Sequence, residues 1–238
     1  RDSLGFTLFE RLHEILPEES RIRLEVQYRM HGDIMNFSSK EFYDGKLEAH
    51  PTVEKHLLAD LPKVRKGEET ERPVVFLDTA GLGYEDSEEP GSGSRYNKEE
   101  ANLAVKEYFK LIGSGIHPEQ IAIISPYSAQ VKWISGKISE KAQADPSQNY
   151  EATEIDSVDA FQGREKEAVI VSLVRSNLEG QIGFLKDTRR MNVAMTRAKR
   201  KLIVIGDSAT LCTIPFYRDF VEYAESVGGS FSAWEYVS

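Results

Sequence analysis

The sequence has little cysteine: Cys212 stands alone. An intramolecular disulfide is excluded, as is a cysteine-rich zinc site, and a single thiol fits a reducing compartment. The five histidines (13, 31, 50, 56, 117) show no tight metal-ligand spacing, so no metal is expected on this chain alone. Long apolar runs are missing too. Ile121–Ile124 and Leu202–Ile205 fall far short of the ~20 residues a membrane helix needs, and no membrane partner is expected. No basic segment followed by an apolar stretch opens the chain, so no secretory signal is visible. The chain begins with Arg1 rather than Met; it is expected to be a fragment of an intracellular protein, nuclear or cytoplasmic, and not to oligomerise. No G-x-x-x-x-G-K-[S/T] loop occurs, and no Asp-Glu pair follows a strand pattern. Nothing here can cradle β- and γ-phosphates, which excludes a stand-alone nucleotide kinase or small GTPase.

What is present is a globular composition, 40% hydrophobic and 29% charged over 238 residues, enough for one good core. The net charge of −9 opposes a simple nucleic-acid coat protein, but charge is unevenly spread. Lys186 to Lys201 holds seven basic residues against one acid, Asp187, whereas Gly83 to Glu100 is acidic and reads as a solvated face.

Apolar runs at Pro73–Leu77, Ile121–Ile124, Val169–Val174 and Leu202–Ile205 are continuous, as strands buried on both faces require. Ile22, Leu24 and Val26 alternate with polar residues as a fifth strand, and Thr153–Ser157 is a fainter candidate. Helices are expected over Asn97–Ile112, with Asn97 as N-cap and Glu100 completing a variant capping box, over Ala129–Ala142, and over Phe216–Val227 behind Pro215. Alternation of this kind implies a parallel α/β sheet with right-handed crossovers. Gly81–Ser94, with four glycines and many acids, is expected to be a mobile loop, and Gln143–Asn149 a second loop. One domain over 21–238, with 1–20 as a lead-in arm, is the economical division.

Because ligands in open α/β sheets gather beyond the carboxyl ends of the strands, the segments after each strand carry the chemistry. These are Gln27-Tyr28-Arg29-Met30-His31, Ser125-Pro126-Tyr127-Ser128-Ala129-Gln130 and Ser157-Val158-Asp159-Ala160-Phe161-Gln162-Gly163-Arg164-Glu165. A helix over Thr188–Lys199 has Met191, Ala194, Met195 and Ala198 as its buried stripe, with Arg190 and Arg197 side by side at its margin. Guanidinium groups so placed suit bidentate phosphate contact. On this helix alone, pairing with surface carboxylates stands equally open.

Taken in order, these strings and Arg190-Met-Asn-Val-Ala-Met-Thr-Arg197-Ala198 resemble the later motifs of superfamily 1 helicases. Within them they resemble the subgroup of the nonsense-mediated-decay helicase, senataxin and the immunoglobulin mu-binding helicase. The flanks 50–62 and 174–185 are most similar to the mu-binding helicase and its fungal DNA-helicase relatives, and the resemblance runs from about Arg21 to Asp207. It implies a RecA-like three-layer domain, the second of two, with a central, mostly parallel sheet and helices on both faces. It also implies ATP with Mg²⁺ held mainly by a first RecA-like domain N-terminal to this chain, so the isolated chain is expected to be inactive. By the resemblance Arg29 and Arg197 are arginine fingers, and Gln27, Tyr28, Gly163 and Glu165 lie at the nucleotide, with Tyr28 on adenine. Ser125, Tyr127, Ser128, Gln130, Ser157 and Asp159 face single-stranded DNA or RNA, with 5′-to-3′ movement implied by subgroup. Trp133 reads as core at helical spacing, though it could stack a base. The competing reading is a decayed binding module on the same fold. Retention of Arg29 and Arg197 together with Gly163 and Glu165 speaks against it.

Overall fold

The computed structural model describes residues 8–17, 20, 22, 24–144 and 149–236; the other residues of the expected lead-in arm and of the 143–149 loop lie outside them. In chain order the elements are α1 (Leu8–Ile15), β1 (Val26–Gln27), α2 (Gly32–Phe42), β2 (Glu48–Ala49), α3 (Glu68–Glu71), β3 (Val74–Asp78), β4 (Ser87–Glu88), β5 (Arg95–Tyr96), α4 (Lys98–Gly113), β6 (Ile121–Ser125), α5 (Ser128–Ala144), β7 (Glu154–Ser157), β8 (Lys166–Ser172), α6 (Thr188–Met195), β9 (Ala198–Gly206), α7 (Ser208–Leu211), α8 (Pro215–Ser226) and β10 (Ser230–Ser232).

Six strands form one sheet in the order β10-β3-β9-β8-β6-β7, and every pairing in it is parallel. The continuous apolar runs are explained by the two faces. Ala122 and Ile124 of β6 and Leu202 and Val204 of β9 point into a core with Met30, Phe37, Met191 and Phe220. Ile121, Ile123, Ile203 and Ile205 point into a second core with Ala104, Tyr108, Leu111 and Ile134. With a period of two and both faces covered, every residue of such a strand is apolar. Each fully buried Ile or Leu contributes about 1.5–3 kcal/mol, so the four central strands fix the architecture. This is the expected three-layer α/β fold.

Two local expectations are corrected. Among the described residues, the strand expected over 22–26 does not join the central sheet: Val26–Gln27 pairs with Glu48–Ala49, while Ile22 is 90% and Leu24 81% exposed. Alternation supplied a pattern, but no apolar face receives it. The helix expected over 188–199 ends at Met195, and Ala198 instead begins β9.

Within 81–94, the segment expected as a loop, β4 pairs antiparallel with β5. Its anchor is Asp86, whose carboxylate is fully buried between Arg95 (2.7 Å) and Arg175 (3.2 Å) and accepts N–H groups from Ser176 and Asn177. The acidic run is therefore not wholly a solvated face. Glu100 is buried as well. Asn97 caps α4 by accepting from the Glu100 amide, but the Glu100 side chain does not return to the cap; it accepts from Ser172 and the Val174 amide.

Candidate functional site

The chain places its chemistry on two opposite edges of the sheet. Because β8 and β9 are parallel to their neighbours, residues just before Lys166 and Ala198 lie at the amino edge, and residues just after Ser125 and Ser157 at the carboxyl edge. Glu165, Arg197 and Lys199 therefore sit on the amino edge. The segment 27–31 joins them there, since the His31 amide donates to the Lys199 carbonyl at 2.7 Å. This corrects the expectation that Arg29, Ser125, Gly163 and Glu165 share the carboxyl edge.

At the amino edge Arg29 Nε meets Glu165 Oε2 at 2.5 Å, and Arg29 Nη1 donates to the Thr196 carbonyl at 3.2 Å. Lys199 Nζ holds the other Glu165 oxygen at 3.2 Å. Burial alone would raise the Glu165 pKa, but the hydrogen bonds from Arg29 and Lys199 outweigh it and hold the carboxyl below its ordinary value.

Arg197 donates to the Val193 and Arg164 carbonyls, at 3.0 and 3.2 Å, and has no carboxylate within 4.0 Å among the described residues. Burial, and then the like charge of Arg29, push its pKa below the ordinary arginine value, with Glu165 opposing. It stays charged, as guanidinium does in proteins. Two guanidinium groups are thus brought together with one carboxylate to share, an arrangement that an incoming anion relieves.

The turn that presents Arg29 is set by Gln27. Its Oε1 accepts from the amides of Arg29 (2.8 Å) and Met30 (2.7 Å), and its Nε2 donates to the Met30 carbonyl. Gln27 is therefore a brace for this turn. Tyr28 is 66% exposed and stacks on His50 with ring centroids 4.3 Å apart, so it is a platform at the surface and not a packed core aromatic. Gly163 is exposed at φ +84°, in open space, where glycine's freedom at positive φ is used.

At the carboxyl edge the expected strand contacts divide. Ser157 is half-buried, and Asp159 is exposed and paired with Arg190 at 3.2 Å. Ser128 is exposed, whereas Ser125 and Tyr127 are buried. Gln130 is fully buried and spent on the Asn97 backbone and on Ser172. The amino end of α5, expected to receive a phosphate, is partly covered by Ser94, whose hydroxyl accepts from the Ala129 amide and from Ser128. The buried amide of Gln130 is fully occupied by its Asn97 and Ser172 partners, as a buried amide needs to be. Trp133 stacks on Tyr96 (5.7 Å) with Lys98 over its ring, packed and not presented. Arg190 and Arg197 do not stand side by side. Arg190 faces Asp159, and Arg197, past the end of α6, faces Arg29 across the sheet's other edge.

Sequence reasoning missed Lys199 as a partner of Glu165, though it follows the last motif by one residue, and missed His50, an isolated histidine that carries no signal in the sequence. Among the described residues no group of three or more His, Cys, Asp or Glu could hold a metal, and no helix is long and apolar enough to cross a membrane.

A six-stranded parallel sheet with helices on both faces, bearing these motifs in this order, defines the second RecA-like domain of a superfamily 1 helicase. The chain belongs to the AAA domain family, whose model matches residues 4–209. It is 43% identical over 234 residues to the DNA-binding protein SMUBP-2 of Mesocricetus auratus, covering 98% of this chain and 23% of that protein. It is 39% identical to the DNA polymerase alpha-associated DNA helicase A of Saccharomyces cerevisiae (94% of this chain, 33% of that protein). It is 40% identical to the Regulator of nonsense transcripts 1 homolog of Drosophila melanogaster (92% and 18%). The chain thus spans a third or less of the length of these relatives.

Proposed function

We propose that this chain is the second motor domain of an ATP-driven nucleic-acid helicase or translocase. Its amino edge faces ATP held by a first RecA-like domain, and its carboxyl edge faces a single strand. The observation that carries the reading is the pairing of Arg29 with Arg197 at one edge, the second with no carboxylate within 4.0 Å among the described residues. Relatives named as helicases, and one named as DNA-binding, support it.

Residue by residue, the roles are as follows. Arg197 and Arg29 place positive charge against the γ-phosphate as it departs, a contribution worth ~10³ to 10⁵ in rate where such arginines act. Glu165, bridged between Arg29 and Lys199, holds both cations on target and faces the nucleotide's sugar and phosphates. Gln27 fixes the turn, and Tyr28 offers its exposed face to the adenine. The Mg²⁺ that accompanies ATP belongs with the first domain, and its chemistry is charge neutralisation between phosphates. Since the fingers engage only when the domains close, closure couples turnover to movement along the strand. At the other edge Ser157 and Ser128 contact sugar-phosphate, which positions a strand without reading its sequence. The 5′-to-3′ direction is the one that the resemblance to the subgroup implies.

Photo-crosslinking of the protein at its full natural length with 8-azido-ATP tests the assignment. Label is expected on the 27–31 peptide and is expected to fall sharply with Tyr28→Ala. Label confined to the segment around Ser125 and Ser157 would place the nucleotide on the wrong edge.

A further inference from the structure

The turn 183–186 lies between the helicase-like strings and none of the assigned roles uses it, yet it displays the least covered aromatic ring of the carboxyl edge. Phe184 is 64% exposed in a short 3₁₀ turn over Gly183–Lys186. An exposed phenylalanine on a loose loop would mean little. This one is held on both sides. Ile182 and Leu185 are buried in the core, and the Leu185 carbonyl accepts from the Tyr217 hydroxyl at 2.8 Å. Gly183, at φ +57°, fits a notch in which an added Cβ would lie 2.7 Å from Arg175 Nη1 and 2.8 Å from the Tyr127 hydroxyl. The buried side chains on either side and the Tyr217 hydrogen bond anchor the turn, and the ring is presented outward.

Its surroundings say what it meets. The ring leans on buried Tyr127 with centroids 5.8 Å apart, at the rim of a shallow recess lined also by Pro126, Ser157, Asp159 and Arg190. Lys186, two residues on, is exposed with no carboxylate within 4.0 Å among the described residues, and half of the Arg190 side chain is exposed. The ring borders the recess together with Ser157 and the half-exposed Arg190, which is held by Asp159 at 3.2 Å and Asp187 at 3.7 Å, and this matches a nucleotide unit with its base on the ring and its phosphate at the guanidinium.

We infer that Phe184 is a base-stacking platform for the single strand. This deepens the reading given above, and rests on its assignment of the carboxyl edge to nucleic acid. Stacking is tolerant of sequence because every base has a π-face, which suits a protein moving along any strand. It also ties the strand to β9 through α6, the helix that follows Phe184 and ends beside Arg197.

The test compares two probes of equal length, oligodeoxythymidylate and the same strand with central abasic residues, bound to the protein at its full natural length by fluorescence anisotropy. The parent is expected to prefer the base-bearing strand by about 5- to 150-fold, the range that stacking of one base supports. Phe184→Ala should bring the base-bearing strand down to the abasic level, and Phe184→Trp should restore the preference. The ring is mostly exposed, so Phe184→Ala should fold as the parent does, and circular dichroism checks this. If Arg190→Ala weakens binding but Phe184→Ala leaves the preference intact, the stacking inference is overturned and the edge assignment stands. If neither variant changes binding to either strand, both are overturned.

Discussion

Arg29 and Glu165 are separated by 136 positions in sequence and meet at 2.5 Å, with Lys199 holding the second carboxylate oxygen. The motif after β1 and the motif before β8 are thereby one unit. Glu165→Gln would leave Arg29 and Lys199 with no carboxylate between them at Glu165, and the three cations of this edge would repel. The expected outcome is nucleotide turnover lowered by at least ten-fold with strand binding within a few-fold, read by steady-state assays of both. The Glu165 pair is partly exposed, so stability should change by less than about 1 kcal/mol.

Asp86 should prove a structural anchor of the β4–β5 hairpin. Asp86→Ala leaves Arg175 and Arg95 without their buried counter-charge, and breaking a buried pair in this way costs about 3–5 kcal/mol. Urea unfolding should register the loss, and limited proteolysis should cut between Ser87 and Ser94 in the variant before it cuts the parent. Unchanged stability with an intact hairpin would contradict the anchor.

Gly183 and Gly163 both have positive φ, but only the first is hemmed in. Gly163→Ala should cost about 1 kcal/mol, from backbone strain alone. Gly183→Ala adds a clash with Arg175 and Tyr127 and should cost more, about 2–4 kcal/mol. Equal shifts in Tm for the two variants would show that the notch is not tight.

Glu100 supplies a pH signature. Burial pushes its carboxyl to about 7, against hydrogen bonds from Ser172 and the backbone of Val174 that favour the charged form, and its second oxygen has no partner. The folded chain therefore binds a proton that the unfolded chain releases near its ordinary value. Its contribution to stability is complete below about 4.5 and is lost as pH rises through about 7, a change of about 3 kcal/mol. Relative to the parent, Glu100→Gln should gain about that much between pH 4.5 and pH 8 in urea titrations. Parallel curves for the two proteins across this range would refute it.

Much of the fold was legible because the middles of β3, β6, β8 and β9 are buried on both faces and run as unbroken apolar stretches; polar residues enter only at their ends, where Lys201 is buried against the Arg72 carbonyl and Ser125 and Ser172 close β6 and β8. Residues 22–26 misled for the opposite reason: alternation shows which face could be buried, not that a partner exists to bury it. Residues 188–199 misled because Ala198 continues the helical stripe of Met191, Ala194 and Met195 while belonging to the next strand, packed in the same core. The hairpin at 87–96 was illegible because Asp86 is held by Arg175, 89 residues away. That Arg29, Glu165 and Arg197 come together followed from motif order, but the edge on which they meet did not. Glu165 comes after β7 and directly before β8, and only the parallel register shows which strand end it belongs to. That Gln130 is buried against Asn97 was not legible, because a polar residue at a helix start looks the same whether it faces solvent or a buried asparagine.

The central claim is that Arg197 acts on the nucleotide and not on the strand. The most direct measurement pairs steady-state ATPase with anisotropy of a labelled single strand, on the full natural-length protein and its Arg197→Ala and Arg197→Lys variants. The account predicts turnover reduced by ~10³ or more in Arg197→Ala, little rescue by lysine because an ammonium lacks the two-pronged contact, and strand affinity within a few-fold of the parent. Near-normal stimulated turnover together with lost strand binding would show that the two edges of this sheet have been assigned the wrong way round.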